Sequence, residues 1–267
     1  MDTLQVNGNS YLPAYLCTKM SSSYSHDQVV PDQESDQAKK KQVAEMFNSI
    51  APRYDFLNRF LSLGIDVVWR KKALKKLTPS APQKILDVAT GTADVAIMAA
   101  KMLKPSQIIG IDISTQMLEA GQKKIEEKAL QSVISLEEGD SEAIKFPDHS
   151  FDAVTVAFGV RNFENLETGL REIRRVLKPG GKLVVLEFSK PRIPVLSQLY
   201  NGYMRFIAPI FAGWMSRNKK AYVYLNNSIQ AFPEGKAFLE VLEKTGFKQT
   251  TCNPLSFGVS SIYTGVK

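Results

Sequence analysis

Lys84-Ile-Leu-Asp-Val-Ala-Thr-Gly-Thr-Ala-Asp94 carries the strongest structural signal in this chain. Its first half holds the apolar residues Ile85, Leu86 and Val88, which are enough for a buried strand. Small residues fill positions 89–93, and good helix formers without proline follow at 95–100. The pattern predicts a strand, a tight turn and a helix whose N-terminal N–H groups face the carboxyl edge of a sheet. A carboxylate or phosphate binds at such an edge, although an ordinary strand–helix connection is the alternative reading.

Acidic residues end the next two predicted strands. Asp112 ends the strand at 107–112, roughly twenty residues after the turn, where an acid suits a ribose diol. Asp140 ends the strand at 134–140, and an acid beside backbone groups at this edge suits an adenine amino group. The turn contains only Gly91 instead of the three glycines of a dinucleotide-binding G-x-G-x-x-G pattern. A cofactor with a compact carboxylate therefore fits better than one with a pyrophosphate.

The rest of the pattern is that of one α/β domain. The further predicted elements are strands at 153–158 and 182–188, a helix at 164–176, a turn at 178–181, and a hairpin at 247–253 and 259–266. We therefore expect a seven-stranded, mostly parallel sheet with a C-terminal antiparallel hairpin. The two cysteines and two histidines have no metal-like spacing, so neither a structural disulfide nor a metal site is expected.

The N-terminal part is predicted to contain a tail and a lid. Residues 1–40 are rich in Ser, Gln, Asp and Asn, so we expect a disordered tail, with translation starting at either Met1 or Met20. Apolar spacing predicts helices at 39–50 and 67–77, with Asp66 as the N-cap of the second. The aromatic and polar residues of 41–78 predict lid helices over the carboxyl edge of the sheet. Core packing with capping residues is the simpler alternative.

The cations of this basic chain cluster in one region. The net charge is +7, and residues 189–233 contain six Lys or Arg but no Asp or Glu. Aromatic residues at helical spacing predict a helical cap insertion at 190–222. Such a cap packs on the core or, alternatively, lines an apolar tunnel and contacts anionic headgroups. No apolar run approaches the roughly 18–20 residues that span a bilayer.

Five motifs resemble those of class I S-adenosylmethionine-dependent methyltransferases. They are Leu86-Asp-Val-Ala-Thr-Gly-Thr92, Gly110-Ile-Asp112, Gly139-Asp140, Phe151-Asp152 and Leu177-Lys-Pro-Gly-Gly181. Residues 54–69 and 175–189, together with Phe158-Gly-Val-Arg-Asn162, resemble the menaquinone/ubiquinone biosynthesis C-methyltransferase family more closely. The resemblance covers about residues 43–267, and it implies a Rossmann-like domain at 41–267 that uses S-adenosylmethionine without a metal. It also implies cofactor contacts from Thr92, Asp112, Asp140 and Ser141.

Three positions depart from the usual pattern of that family. Asp66 stands where members often have His, which puts a His-based proton transfer in doubt. Ala157 stands where many have Ser, which removes one side-chain hydrogen bond to the cofactor. Ala93 stands where Gly is common.

The resemblance implies an enzyme that methylates demethylmenaquinol to menaquinol, a late step of menaquinone biosynthesis. Its prenylated substrate suggests a cytoplasmic protein that associates peripherally with the inner face of the membrane. Residues 190–222 are expected to contact the membrane. A ring carbon is a poor nucleophile until a neighbouring hydroxyl loses its proton, so the site needs a proton acceptor and a positive group. Arg161 is the catalytic candidate for the positive group, while Tyr54, Asp55 and Asp66 are weaker candidates for orienting or proton-accepting roles. A structural ion pair of Arg161 with Glu164 or Glu187 is the alternative.

Other functions stay open at this point. They are methylation of a benzoquinol in ubiquinone biosynthesis, methylation of nucleic acid, protein or another small molecule, and a cofactor-binding subunit without activity. The run at 158–162 differs from the Asn/Asp-Pro-Pro-aromatic run typical of base methylation, and no separate RNA-binding module is visible. Nucleic acid is therefore not an expected partner, whereas the ring, the tail length and the oligomeric state are left undecided.

Overall fold

A computed structural model describes residues 24–191 and 219–267 of the protein. At its centre lies a seven-stranded sheet in the order β3-β2-β1-β4-β5-β7-β6. The strands are β1 (Lys84–Val88), β2 (Gln107–Asp112), β3 (Ile134–Glu138), β4 (Phe151–Ala157), β5 (Leu177–Phe188), β6 (Lys248–Leu255) and β7 (Ser260–Val266). β1 to β5 are parallel, and β7 pairs antiparallel with both β5 and β6. The predicted fold class, a mostly parallel sheet with a C-terminal antiparallel hairpin, is confirmed.

Helices cover both faces of this sheet. They are α1 (Lys39–Ile50), α2 (Tyr54–Leu61), α3 (Ile65–Lys75), α4 (Asp94–Leu103), α5 (Thr115–Glu127), α6 (Leu166–Val176), α7 (Lys219–Ala231) and α8 (Lys236–Lys244). Ile85 of β1 packs in a core cluster with α3 and α4, whereas its neighbour Leu86 packs in a second cluster with α6 and α8. This alternation follows from the two-residue period of a strand. Among the described residues, no helix is both long and apolar enough to cross a membrane.

The N-terminal segment is more ordered than its composition predicted. Residues 24–38 lie within the range expected to be a disordered tail, yet His26 is fully buried and Asp27 nearly so. The Lys39 ammonium donates to the His26 carbonyl at 2.7 Å, and the His26 ring meets Phe232 edge-on at 6.0 Å. The prediction of disorder is therefore wrong for residues 24–38, because contacts from distant elements fix them. Residues 1–23 lie outside the described part of the chain.

Asp66 is not the N-cap that the sequence predicted. Helix α3 begins at Ile65, after Gly64 in the left-handed region at φ +75°, so Asp66 lies inside its first turn. Its carboxylate is buried and accepts from Arg59, Arg70 and the Ser62 hydroxyl. The N-cap prediction is wrong because two guanidinium groups, one from α2 and one a turn further along α3, bind this carboxylate.

Two further sequence predictions concern residues 178–181 and residues 190–222. The predicted turn at 178–181 is an irregularity within β5, where the pairing with β4 passes from Leu177 directly to Lys182. Gly180 has φ +76° there, which a glycine adopts at little cost. The predicted cap insertion at 190–222 falls mostly on residues 192–218, which lie outside the described residues.

Close packing of the ends of β1 and β4 requires a glycine at position 159. A Cβ built there would lie 2.5 Å from the Cβ of Ala89 and 3.2 Å from Cγ1 of Val156. We expect Gly159→Ala to lower the free energy of unfolding by about 1–3 kcal/mol, because overpacking displaces the backbone. Urea denaturation checks this value. The double variant Ala89→Gly/Gly159→Ala should recover most of the loss, and failure to recover it would contradict the clash.

Candidate active site

A polar cleft opens at the carboxyl edge of the sheet, between α1 and the ends of β1 to β4. We define it by Lys40, Phe47, Tyr54, Asp112 and Asp140, and its atom-free space is about 640 Å³ including the open mouth. Helix α1 crosses the cleft and is held on both sides. The Lys40 ammonium binds the Asp140 carboxylate at 2.5 Å on one side. On the other side, Asn48 accepts from the Ser114 hydroxyl at 2.7 Å.

Asp112 lies on the floor of this cleft and is held by two backbone groups. One carboxylate oxygen accepts from the Gly91 N–H at 2.8 Å, and the other accepts from the Ser114 N–H at 2.9 Å. Burial raises the pKa of Asp112, although these N–H groups favour its charged form. Each oxygen keeps a second lone pair, so the fixed carboxylate can accept from a pair of vicinal hydroxyls.

Asp140 and Ser141 line the far end of the polar cleft. One Asp140 oxygen accepts from the Glu142 N–H at 2.9 Å, which fixes the side chain. The other oxygen faces Lys40, whose ammonium also lies within 4 Å of Glu142 and Glu164. Asp112 and Asp140 therefore share one cleft, which agrees with their positions at the ends of neighbouring strands. Ser141, which only the family resemblance implied, lines the same cleft.

The turn between β1 and α4 forms the inner wall of the cleft. Ala89, Gly91 and Ala93 all have left-handed backbone conformations, with φ between +53° and +61°. A Cβ on Gly91 would point toward Tyr54 at 3.9 Å, into the space between turn and lid. A ligand in this space can therefore approach the bare backbone of Gly91 closely.

An inner recess extends from the polar cleft beneath this turn. Its atom-free space is about 330 Å³ including the open mouth, and it is bordered by Tyr54, Arg70, Asp87, Thr92 and Asp94. Thr92 borders this recess and not the polar cleft itself. Its hydroxyl donates to Asp55 at 2.5 Å, so its side chain anchors the lid.

Asp87 is a buried acid on the floor of the recess. Burial raises the pKa of Asp87 to about 6, against hydrogen bonds from the Thr155 and Thr90 hydroxyls at 2.5 and 2.7 Å. These two donors satisfy both carboxylate oxygens. The group can therefore take either protonation state near neutral pH, depending on the charge that enters the recess.

A network of charges joins the lid helices to α4 and α5. Arg59 binds Asp94 at 2.8 Å and also binds Asp66, while Lys124 of α5 binds Asp55 at 2.7 Å and contacts Asp94. Burial alone would raise the pKa of Asp94, but the cations of Lys124, Arg70 and Arg59 hold it below its usual value. The lid is thus tied to the start of α4 mainly by ion pairs.

Arg70 and Lys124 are residues that sequence reasoning missed. Arg70 stands beside the exposed Lys71 and Lys72 in the sequence, but it is only 5% exposed itself. A usable signal was present, because Arg70 lies four residues after Asp66, a spacing that places an Asp and an Arg on one helical face. The position of Lys124 on a polar helix gave no such signal.

A larger apolar cleft lies on the other side of Tyr54, between the lid helices, α7 and the sheet. Its atom-free space is about 1100 Å³ including the open mouth. Its apolar lining consists of Met46, Phe47, Ile50, Leu57, Trp69, Phe158, Phe188, Ala221, Leu225, Ile229 and Val259. Polar groups are added to the lining by Asn58, Ser62, Asp66, Arg70, Arg161 and Tyr224.

Arg161 lines this apolar cleft and also forms one of the two ion pairs considered from the sequence. Its Nη1 donates to Glu187 at 2.8 Å and to the Phe158 carbonyl at 2.5 Å. Glu187 is completely buried, and Arg161 is 4% exposed. Phe158 has φ +59°, a conformation that costs energy in a bulky residue and that marks many functional sites. The ion pair and the position beside a ligand site are therefore compatible.

Tyr54 borders the polar cleft, the apolar cleft and the recess. Burial raises the pKa of its hydroxyl, although Asn58 and the nearby Arg161 and Arg70 oppose this effect. Phe47 and Phe158 also line both clefts. The arrangement brings a polar site and an apolar site together at a wall of three aromatic rings.

Comparison with known proteins is consistent with this geometry. Residues 35–267 match the model of the ubiE/COQ5 methyltransferase family. This chain belongs to that family. It is 44% identical over 245 residues to the demethylmenaquinone methyltransferase of Bacteroides fragilis, covering 92% of this chain and 100% of that protein. It is also 44% identical to the ubiquinone/menaquinone biosynthesis C-methyltransferase UbiE of Geotalea daltonii, covering 86% and 97% of the two chains.

The fold also has solved counterparts. A Methanococcus maripaludis structure, a candidate S-adenosyl-L-methionine-dependent methyltransferase, superposes with a TM-score of 0.59 at 21% identity. The match covers 82% of this chain and 93% of that one. The family and fold together identify this protein as a methyltransferase with S-adenosylmethionine as its methyl donor. The predictions of the family, the enzyme class and the methyl donor are thereby confirmed.

The raised pKa of Asp87 gives a pH dependence of stability that can be tested. A folded-state pKa of about 6 against a model value of 3.8 means that the folded protein binds more protons between these values. The contribution of Asp87 to stability therefore falls as pH rises through this window. Asp87→Asn cannot titrate, so its unfolding free energy relative to wild type should rise by about 3 kcal/mol between about pH 4 and pH 7. Urea denaturation at both pH values measures this, and parallel behaviour of the two proteins would contradict it.

Proposed function

We propose that this protein methylates a ring carbon of demethylmenaquinol and so forms menaquinol. The observation that carries the proposal is the apolar cleft of about 1100 Å³ that meets the polar cleft at Tyr54. Such a space suits an aromatic ring with an apolar tail. The names of the relatives, demethylmenaquinone methyltransferase and ubiquinone/menaquinone biosynthesis C-methyltransferase, support a quinone-type acceptor.

In this proposal the polar cleft and the recess hold S-adenosylmethionine, which supplies an electrophilic methyl group on a positively charged sulfur. Asp112 accepts from the ribose hydroxyls, because its carboxylate is already fixed by two N–H groups. Asp140 and Ser141 lie where they would bind the adenine. Thr92 contributes indirectly from the border of the recess, because its hydroxyl donates a hydrogen bond to Asp55 of the lid. The bare backbone of Gly91 and the spare lone pairs of Asp112 fit this ligand.

Arg161 stabilises negative charge on the quinol oxygen in this proposal. Loss of a hydroxyl proton places charge on the ring, and a guanidinium in an apolar cleft stabilises that charge strongly. Arg161 does not take the proton itself, because a guanidinium stays charged at neutral pH. Glu187 holds it in place with a hydrogen bond of 2.8 Å.

Asp66 is our candidate for the proton acceptor. Of the described residues that line the apolar cleft, it is the one acid. It replaces a residue that is often His in the family, and both side chains can accept a proton. The other two candidates fit less well. Asp55 does not line this cleft. Burial raises the pKa of Tyr54, so its phenol stays neutral.

The quinone content of cells tests this function directly. Deleting the gene in the native organism should cause demethylmenaquinone to accumulate, and wild-type protein should restore menaquinone. Accumulation of a demethylated benzoquinone would instead indicate the ubiquinone pathway. A normal quinone profile would overturn the proposal and direct attention to nucleic acid or another small molecule.

Two variants test the proposed roles of Asp112 and Arg161 by complementation, together with cofactor binding and turnover. Asp112→Asn should fail because it binds S-adenosylmethionine weakly. Arg161→Gln should bind the cofactor within about twofold of wild type yet turn over at least about a hundredfold more slowly. Arg171→Gln, an exposed arginine of α6, is the control that should restore menaquinone fully. Because Arg161→Gln leaves Glu187 buried without its cation, Arg161→Gln/Glu187→Gln is measured beside it to separate folding from catalysis.

We also infer that the protein contacts a membrane surface, since its proposed substrate is prenylated. Five large apolar side chains of the α2–α3 region are 42–72% exposed: Phe56, Phe60, Leu63, Ile65 and Val68. Lys71, Lys72 and Lys75 lie exposed on the same helix α3 and would meet anionic headgroups.

Sedimentation with lipid vesicles tests this contact. The protein should bind vesicles rich in anionic lipid, and high salt or Val68→Glu should release most of it, because charge and apolar insertion both contribute. Equal binding to neutral and anionic vesicles, or no binding to either, would argue against this surface.

A further inference from the structure

Arg70 presents an unused hydrogen-bonding edge beneath the turn of β1 and α4. Within the described residues, both hydrogen bonds of its guanidinium come from Nη1, which donates to Asp66 and, at 3.4 Å, to Asp94. The Nε atom is buried and has no partner there. The side chain is only 5% exposed, so water does not readily replace the missing partner. A buried donor without a partner costs about 1–3 kcal/mol, which points to a ligand that supplies the acceptor.

The recess beside Arg70 has the position that the amino-acid end of the methyl donor requires. It shares Tyr54, Ala89, Gly91 and Ala157 with the polar cleft, so one ligand can occupy both. Asp112, the proposed ribose ligand, lies 2.8 Å from the Gly91 N–H and thus at the junction of the two spaces. A nucleoside seated on Asp112 therefore extends its sulfur-linked chain toward Arg70.

The charges around the recess decide which group can bind at Arg70. Asp87 and Asp94 both border the recess and would repel a carboxylate, and Lys124 and Arg59 are already engaged with Asp94. A carboxylate therefore needs a cation with a free edge, and Arg70 offers one. The N-terminus of α4 adds favourable potential on the same side. Asp87, on the floor of the recess, is suited to the ammonium group of the same amino acid.

We propose that Arg70 binds the methionine carboxylate of S-adenosylmethionine through its Nε–Nη2 edge. Two parallel N–H groups of a guanidinium match the two oxygens of a carboxylate. Asp66 and Asp94 hold Nη1 and so keep the opposite edge turned to the ligand. The inference rests on the proposed cofactor site and adds a residue from the lid helix α3 to it.

This assignment couples the lid to the cofactor. Arg70 and Asp66 belong to α3, and Asp94 begins α4, so the carboxylate completes a bridge between the lid and the sheet domain. The bound donor would then stabilise the lid position that also shapes the apolar cleft. Arg70 lines that cleft as well, so a quinol oxygen is the rival ligand that the experiment must distinguish.

Decarboxylated S-adenosylmethionine tests the contact, because it lacks only the carboxylate. Calorimetry measures its dissociation constant and that of S-adenosylmethionine for the wild type, Arg70→Gln and Arg70→Lys, in the absence of quinol. Arg70→Gln should weaken S-adenosylmethionine binding by roughly tenfold to a hundredfold and change binding of the decarboxylated analogue by less than about threefold. Arg70→Lys keeps the positive charge but loses the two parallel N–H groups of the guanidinium. Its affinity for S-adenosylmethionine should therefore lie between those of the wild type and Arg70→Gln. Arg171→Gln, the same substitution at an exposed arginine of α6, should change neither constant.

Two results would overturn the assignment. Equal loss of affinity for both ligands would mean that Arg70 only supports the structure. Unchanged cofactor binding with a raised KM for the quinol would mean that Arg70 binds the acceptor. If Arg70→Gln is too unstable to measure, the comparison is repeated with Asp66→Asn/Arg70→Gln. This double variant also removes the charge of Asp66, which would otherwise have lost the Arg70 cation. Since no quinol is present, absence of demethylmenaquinol methylation would refute the proposed function without affecting this result.

Discussion

The hydrogen bond from the Gly91 N–H to the Asp112 carboxylate joins the two strand ends on which the site is built. It locks the left-handed turn after β1 to the end of β2. The second oxygen of Asp112 accepts from Ser114, whose hydroxyl in turn binds Asn48 of α1. One carboxylate therefore sets the positions of the turn, the start of α5 and the lid helix above them. Groups held in this way need little rearrangement when a ligand binds, which is a condition for accurate positioning.

The lid is held by charge at the point where it meets this turn. Arg59, Arg70 and Lys124 are distributed among Asp55, Asp66 and Asp94, and most of these side chains are largely shielded from water. Buried ion pairs add little net stability, because each charge loses its hydration, but removing one partner is costly. Such a network specifies one lid position without the tight apolar packing that would oppose release of a product. The apolar contacts of α3 are made further along the helix, by Trp69, Ala73 and Leu74.

The parts of the molecule that follow from local pattern were predicted from the sequence. Ile85, Leu86 and Val88 gave the central strand, and the acids after β2 and β3 gave two sides of the polar cleft. Asp66 was assigned wrongly as a cap because Arg59 and Arg70 are what bury it, and a capping rule does not consider such partners. His26 was placed in a disordered tail because its cover, Phe232, lies more than two hundred residues away. Pairings of this kind are set by the folded topology, and local composition carries no record of them.

The proposed chemistry depends on keeping two dissimilar ligands on opposite sides of Tyr54. The polar cleft suits a charged nucleoside, and the apolar cleft suits a ring with a hydrocarbon tail. Because burial raises the pKa of the Tyr54 hydroxyl, the ring between them stays uncharged and remains a hydrogen-bond donor. Phe47 and Tyr54 both come from the N-terminal helices and line both clefts. In the proposed reaction the same lid therefore positions donor and acceptor together. An error in its placement would disturb the line between the methyl group and the ring carbon, and not merely the affinity for one ligand.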